Sequence, residues 1–186
     1  SILSTQTFGP KIMTGARVAR LLTVLQEVTK NISGNAIVSH RLNIYQRLLG
    51  QAKTTFISQA NLWIEHLIFA LLHHLKDTRS KAIAFGLQVA TEAGPNPTLS
   101  KHIQDLFDRP LEHGRKLVSE VRERMTRMMA TVDSGEHVPQ IWSVIILLLR
   151  NKRWNLEKWD HFKEWVLVVQ KCFNCSEPVI KAQAIV

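Results

Sequence analysis

Residues 71–90 read LLHHLKDTRSKAIAFGLQVA. An apolar helix ends here, a short polar turn carries Asp77 and Arg79, and a second helix opens on Lys81-Ala82-Ile83-Ala84. The closing stretch 168–186, VVQKCFNCSEPVIKAQAIV, has the same order, with Lys181-Ala182-Gln183-Ala184 in the second place. Small alanines let helices approach closely, and Asp77 and Ser176 have the short polar side chains that cap helices or form turns. An apolar helix, a tight turn with acidic and basic residues and then a small-residue helix is the shape of a HEAT-type repeat. The pattern predicts an all-α fold, an α-solenoid of HEAT-like antiparallel helix pairs rather than a closed bundle.

The rest of the chain reads with the same 3.6-residue period. Val118, Val121, Met125 and Met128 mark one face of a helix from about 111 to 130, and Trp159, Phe162, Val166, Val169 and Phe173 one face of another from about 156 to 173. The stretch 62–75 is apolar nearly all round, which requires neighbours on several sides. Breakers fall at 33–35, 92–97, 133–139 and 175–178. Helices are expected near 12–32, 35–51, 54–76, 79–93, 98–109, 111–131, 138–151 and 156–174, with another begun at 177. The short linkers make neighbours antiparallel. No segment alternates apolar and polar residues over the length of a strand.

The chain has 186 residues, 45% hydrophobic and 21% charged, which is globular composition. The longest apolar run, Ile141–Leu149, is interrupted by Ser143 and is too short for a membrane span, which takes about 20 residues. No membrane partner is expected. The first residue is Ser and the last run, KAQAIV, reads as a helix in mid-turn. We therefore expect 1–186 to be a single fragment of a longer HEAT-repeat array, truncated at both ends. Lys and Arg total 24 against 15 Asp and Glu, a net charge of +9, which attracts polyanions.

Cys172 and Cys175 form a C-x-x-C. A redox dithiol of this spacing sits at a helix start after a strand, where the helix dipole favours thiolate. Here Cys172 falls near a helix end with no strand before it. A structural zinc needs four ligands, and His161 is about three turns back along the same helix. Both cysteines read as small apolar residues at a turn. His73 and Asp77 have the i,i+4 spacing of a metal pair, and His66 and His74 lie near, but an inter-helix role is the commoner use of such histidines. No metal or other cofactor is expected. No nucleophile elbow, phosphate loop or acid–base pair occurs, so the chain reads as non-enzymatic.

Basic residues gather in three places. Arg115, Lys116, Arg122, Arg124 and Arg127 crowd one helix, with Glu120 at i,i+4 spacing between Lys116 and Arg124. Arg150, Lys152, Arg153 and Lys158 crowd a turn near Trp154, and Lys76, Arg79 and Lys81 flank the first repeat turn. Successive turns of a solenoid line up, so these clusters form a candidate stripe for the phosphate backbone of DNA, read without sequence preference. The competing reading is a solvated basic surface whose clusters point to different sides.

Three stretches carry a family resemblance. SILSTQTFGPKIMTGARVARLL at the start, ANLWIEHLIFALLHHLKDTRSKAIAFGLQVA, and PQIWSVIILLLRNKRW with the helix ending in EPVIKAQAIV resemble successive helical blocks of the N-terminal HEAT-like region of the Rap-interacting factor (Rif) family. The resemblance implies a nuclear protein of chromosomes and telomeres that limits telomere elongation and sets replication timing. It also implies a role at DNA ends, relevant to DNA repair, and a solenoid that binds DNA. Telomeric and replication-control proteins would be engaged through other parts of the full-length protein. The family recruits type 1 protein phosphatase through Arg-Val-x-Phe and Ser-Ile-Leu-Lys motifs. Arg17-Val18-Ala19-Arg20 lacks the Phe and Ser1-Ile2-Leu3-Ser4 lacks the Lys, so phosphatase docking is not expected here. The leading expectation is a DNA-binding solenoid segment. The alternative is a HEAT-type protein–protein scaffold or transport adaptor without DNA binding.

Overall fold

The structure, a computed structural model, describes residues 13–30, 34–151, 161–174, 178 and 180. Its helices are α1 (Gly15–Lys30), α2 (Asn35–Gln51), α3 (Lys53–Ser58), α4 (Ile64–Leu71), α5 (Lys76–Ala93), α6 (Pro97–Phe107), α7 (Leu117–Met128), α8 (Val132–Gly135), α9 (Val138–Leu149) and α10 (Phe162–Phe173). Short 3-10 turns lie at Ala60–Leu62 and Glu112–Gly114. Among the described residues the β-type pairing is a single isolated bridge, between Pro110 and Lys116. The chain is an all-α solenoid, as the repeat pattern predicts.

The stacking can be read from side chains that link equivalent helices. Lys81 donates to Ser39 Oγ at 2.7 Å, and Gln46 donates to Gln88 at 3.4 Å. Each step, from 39 to 46 on α2 and from 81 to 88 on α5, is about two helical turns in the same direction, so α2 and α5 run parallel. The same register joins α5 to α9. Arg79 meets His137 at 3.0 Å, and a Cβ added at Gly86 would lie 2.5 Å from Val144 Cγ1. Gly86 is thus the point of closest approach between two parallel helices, and a larger side chain there meets Val144. Helices α2, α5 and α9 form one parallel layer. Helices α4 and α6 return the chain between them and supply the second layer.

The core lies between the layers. Trp63 and Phe56 stack at 4.7 Å with Phe85 edge-on to both, and Tyr45 closes the group from α2. Such aromatic pairs contribute about 0.5–1.5 kcal/mol each beyond the area they bury. Downstream, Leu99, Ile103 and Phe107 of α6 pack with Ile141, Val144, Ile145 and Leu148 of α9, all buried.

Several expected boundaries are corrected. The helix expected over 54–76 is broken between Ser58 and Ile64, and again between Leu71 and Lys76, though no Gly or Pro marks either place. The buried indole of Trp63 donates to the Phe56 carbonyl at 2.9 Å, taking an acceptor that a continuous helix would use. Helix α5 begins at Lys76 rather than 79, so Asp77 lies in its first turn and is not the N-cap; Leu75 holds that position without a side-chain cap. The breaker at 92–97 works as read. Gly94 ends α5 with φ 57°, and the Asn96 side chain caps α6 by accepting from Leu99 N at 3.0 Å. The helix expected over 111–131 is shorter. His113 and Gly114 have positive φ, Arg115 and Lys116 are extended, and α7 starts at Leu117. Among the described side chains of α10, Val168 and Cys172 are buried, whereas Val166, expected inside, is 36% exposed. Trp159 and Ser176 lie outside the described residues, as do the side chains of Phe162 and Phe173.

Candidate functional site

The sequence concentrates cations on α7 and just before it, and the structure places a carboxylate against most of them. Arg115 meets Glu123 at 2.8 Å, Lys116 meets Asp108 at 2.9 Å, and Arg124 meets Glu120 at 2.5 Å while lying 5.5 Å over the Phe69 ring. Nearby, Arg109 meets Glu65 at 2.7 Å. Burial pushes the Asp108 carboxyl up, but Lys116 and His161 beside it hold it below its ordinary value. Arg115 and Lys116 reach these partners because the chain before α7 is extended; on a continuous helix they would point elsewhere. Arg122 and Arg127 lie farther along α7. They line a concavity of about 450 Å³ between α7 and α10, and Lys171 and Leu167 face them from α10.

The turn cluster separates into three fates. Arg79 is 1% exposed and does not belong to a surface stripe. Its Nε donates to His137 Nδ1 at 3.0 Å, one terminal nitrogen donates to the carbonyls of His73 and His74 at 3.0 and 2.9 Å, and the other to the Asp133 carbonyl at 2.8 Å. It ties the α4–α5 turn to the α8–α9 turn. The physical reason is that a turn between packed layers leaves carbonyls without helical partners, and a planar fork satisfies several at once. Lys76 pairs with Glu136 on that same joint, and its hydrogen bond holds the Glu136 carboxyl below the usual carboxylate range. Lys81 is exposed and faces α2. Arg150 is exposed at the end of α9, and Lys152, Arg153 and Lys158 lie outside the described residues.

A second basic region is spread too thinly along the sequence to form a cluster. Helices α2 and α3 contain no Asp or Glu, and Glu27 is the one acidic residue before Glu65 in the sequence. Lys11, Arg17, Arg20, Lys30, Arg41, Arg47 and Lys53 precede Glu65 as well. Within the parallel layer, Ser39 and Gln46 of α2 meet exposed Lys81 and half-buried Gln88 of α5, and His40, Asn43 and Arg47 of α2 are exposed. A running sum of charge along the chain would have found this region.

The other candidates are structural. The Tyr45 hydroxyl and His66 Nδ1 share a hydrogen bond at 2.6 Å, which a neutral ring can make in either tautomer. Burial, with help from Arg41, lowers the His66 pKa to about 4. His73 accepts from Leu75 N at 3.1 Å and stacks on His74. Since α4 ends at Leu71, His73 and Asp77 do not share a helix and the i,i+4 metal geometry is not formed. Among the described residues no group of three His, Cys, Asp or Glu could hold a metal. Cys172 is buried with its sulfur 3.4 Å from that of Met129, and Cys175 lies outside the described residues. No described helix is long and apolar enough to cross a membrane. In Arg17-Val18, the valine is fully buried on α1, and Ser1–Ser4 lies outside the described residues.

Comparison with known proteins follows the same line. Residues 1–186 match the family described as Rap1-interacting factor 1 N terminal. The chain is 25% identical over 160 residues to the telomere length regulator protein rif1 of Schizosaccharomyces pombe, an alignment covering 85% of this chain and 11% of that protein. The chain thus spans a small part of the curated relative it matches. No solved structure matches it.

Proposed function

Since this chain belongs to the Rap1-interacting factor 1 N-terminal family, we propose that it is a non-enzymatic segment of a chromosome-associated telomere-length regulator, with its solenoid contributing sequence-independent DNA binding. Its place is the nucleus, on chromosomes and telomeres. Replication-timing control, DNA-end protection and contacts with telomeric proteins belong, in this reading, to the full-length protein.

The observation that supports DNA binding is the absence of Asp and Glu from α2, with Lys81 reaching across to it from α5, although α5 itself exposes Asp77 and Glu92 and the latter pairs with Lys53. A cation already held by a carboxylate gives up that pair to meet a phosphate, whereas exposed Arg47 has no ion pair among the described residues. The surface also carries Asn43, Gln46 and Gln88, which hydrogen-bond phosphate oxygens without reading bases. The α7 cations paired with Glu120, Glu123 and Asp108 contribute less, so the contact surface moves from the helix that sequence clustering favoured to the α2–α5 layer.

The test is duplex affinity across a salt series for the chain and for Arg47→Glu with Lys81→Glu. Each lost phosphate contact flattens the slope of log affinity against log salt by about 0.9. The double variant should bind all duplex sequences more weakly by a common factor, with a slope shallower by about 1.8. Unchanged affinity and slope in a normally folded double variant would remove this surface from the proposal.

A further inference from the structure

The concavity between α7 and α10 has a different chemistry from the α2–α5 face. Arg122, Thr126 and Arg127 form one wall, and Leu167, Val168 and Lys171 the other. Leu167 is 57% exposed in a chain whose other leucines are mostly buried. It stands on α10 between Lys163 and Lys171, one turn from each, and both lysines are exposed. The carboxylate on the α7 wall, Glu123, is held by Arg115 at 2.8 Å, so its charge is already met. The groove therefore offers an apolar floor inside a rim of positive charge.

Phosphate backbone has no use for the floor. A duplex would leave Leu167 facing water or sugar edges while engaging the lysines. A short acidic peptide with one apolar side chain uses both features: the apolar group covers Leu167 and its carboxylates meet Arg127 and Lys171. The volume of about 450 Å³ admits a few side chains, not a folded domain.

We infer that the α7–α10 groove docks an acidic linear segment of a protein partner, anchored by an apolar side chain on Leu167. This goes beyond the DNA reading and rests on a separate surface, so one chain would hold nucleic acid on the α2–α5 layer and an acidic peptide on the α7–α10 side. Charge complementarity selects the partner class, since the same rim repels basic segments.

The experiment is a selection of displayed random short peptides on the chain and on Leu167→Ser. An exposed leucine on a helix tolerates this change, and far-UV circular dichroism checks the fold. Peptides enriched on the parent should be acidic and carry an apolar residue. The best of them, measured by fluorescence anisotropy, should bind Leu167→Ser about tenfold more weakly, the loss of roughly half a leucine's burial. Arg127→Ala and Lys171→Ala should each weaken it about threefold, with a smaller effect at high salt. Duplex DNA affinity should be the same for parent and Leu167→Ser. That readout separates the two surfaces, because loss of peptide binding leaves the α2–α5 reading intact and the reverse holds for Arg47→Glu. Absence of any enriched acidic class, or equal binding of the enriched peptide to Leu167→Ser, overturns the inference. So does competition of peptide by duplex DNA at a single site.

Discussion

Helices α2 and α7 are both basic, yet their cations meet different neighbours. On α7 and just before it, Arg115, Lys116 and Arg124 each have a carboxylate within 2.9 Å. On α2 there is no Asp or Glu, Arg47 stands exposed, and Lys81 of the next parallel helix reaches across to Ser39 about two turns away. The number of arginines in a stretch measures composition, whereas the field a phosphate feels depends on what already neutralises them. The helix with the denser run of cations is therefore the weaker candidate for a polyanion and, through its groove with α10, the better one for a peptide.

Arg79 gives the largest test of that distinction, because it is a cation committed to the interior. Arg79→Ala leaves buried His137 and three part-buried carbonyls without their donor, and should lower stability by about 2–4 kcal/mol in urea unfolding. DNA affinity of whatever remains folded should be unchanged. Normal stability with lost DNA affinity would return Arg79 to the contact surface and undo the comparison.

The next effect is one of pH. Burial holds the folded His66 at a pKa of about 4, below its ordinary value of 6.5. Above 6.5 both folded and unfolded states are neutral and the ring costs nothing. As pH falls from 6.5 toward 4, only the unfolded chain takes up the proton, so stability declines, by about 2 kcal/mol once solvent screening is discounted. His137, also shifted down by burial and by Arg79, acts with the same sign at the α5–α9 joint. Amide exchange at pH 5 should loosen α2 and α4, which Tyr45 and His66 join, before α7. His66→Gln should reduce that difference. Equal loosening of α2 and α7 in the parent would show that the histidine is not what distinguishes them.

The smallest effect belongs to α7. Arg115→Ala and Arg124→Ala remove exposed pairs that contribute about 0.2–1 kcal/mol each, and duplex affinity should change less than twofold. A large loss of DNA binding from either would reverse the ranking of the two helices.

Much of this architecture was legible in the sequence. The small-residue helix through 81–90, the Gly94–Pro97 breaker and the buried face Val118, Val121 and Met125 all report local preferences, and each stands where periodicity puts it, whereas the polar turn expected at Asp77 and Arg79 is already the first turn of α5. What escaped depends on partners far along the chain. The break at Ser58–Ile64 is made by an indole reaching back to Phe56, which no turn residue announces. Arg79 looks like any surface arginine until His137 and Asp133 arrive from the next turn. The pairing of Lys116 with Asp108 needs the extended stretch after Gly114, where a helical period was expected. Lys163, Leu167 and Lys171 were readable as a stripe with i,i+4 spacing, but the register expected for α10 put Val166 inside and drew attention away from it.

The parallel register of α2, α5 and α9 also bears on how the molecule comes apart. Each helix of the layer is held by its immediate neighbours, so the array behaves as a row of coupled units whose cohesion is a sum of nearest-neighbour terms. In such a row, melting enters from an end and advances until it reaches a strong coupling. The joint between α5 and α9, with the Arg79 fork at one point and the Gly86 contact two turns on, is such a coupling. Fraying that starts beyond α9 should halt there. The α2–α5 face would then stay assembled while the far end of the segment opens and closes, and a polyanion held on that face would scarcely register the event.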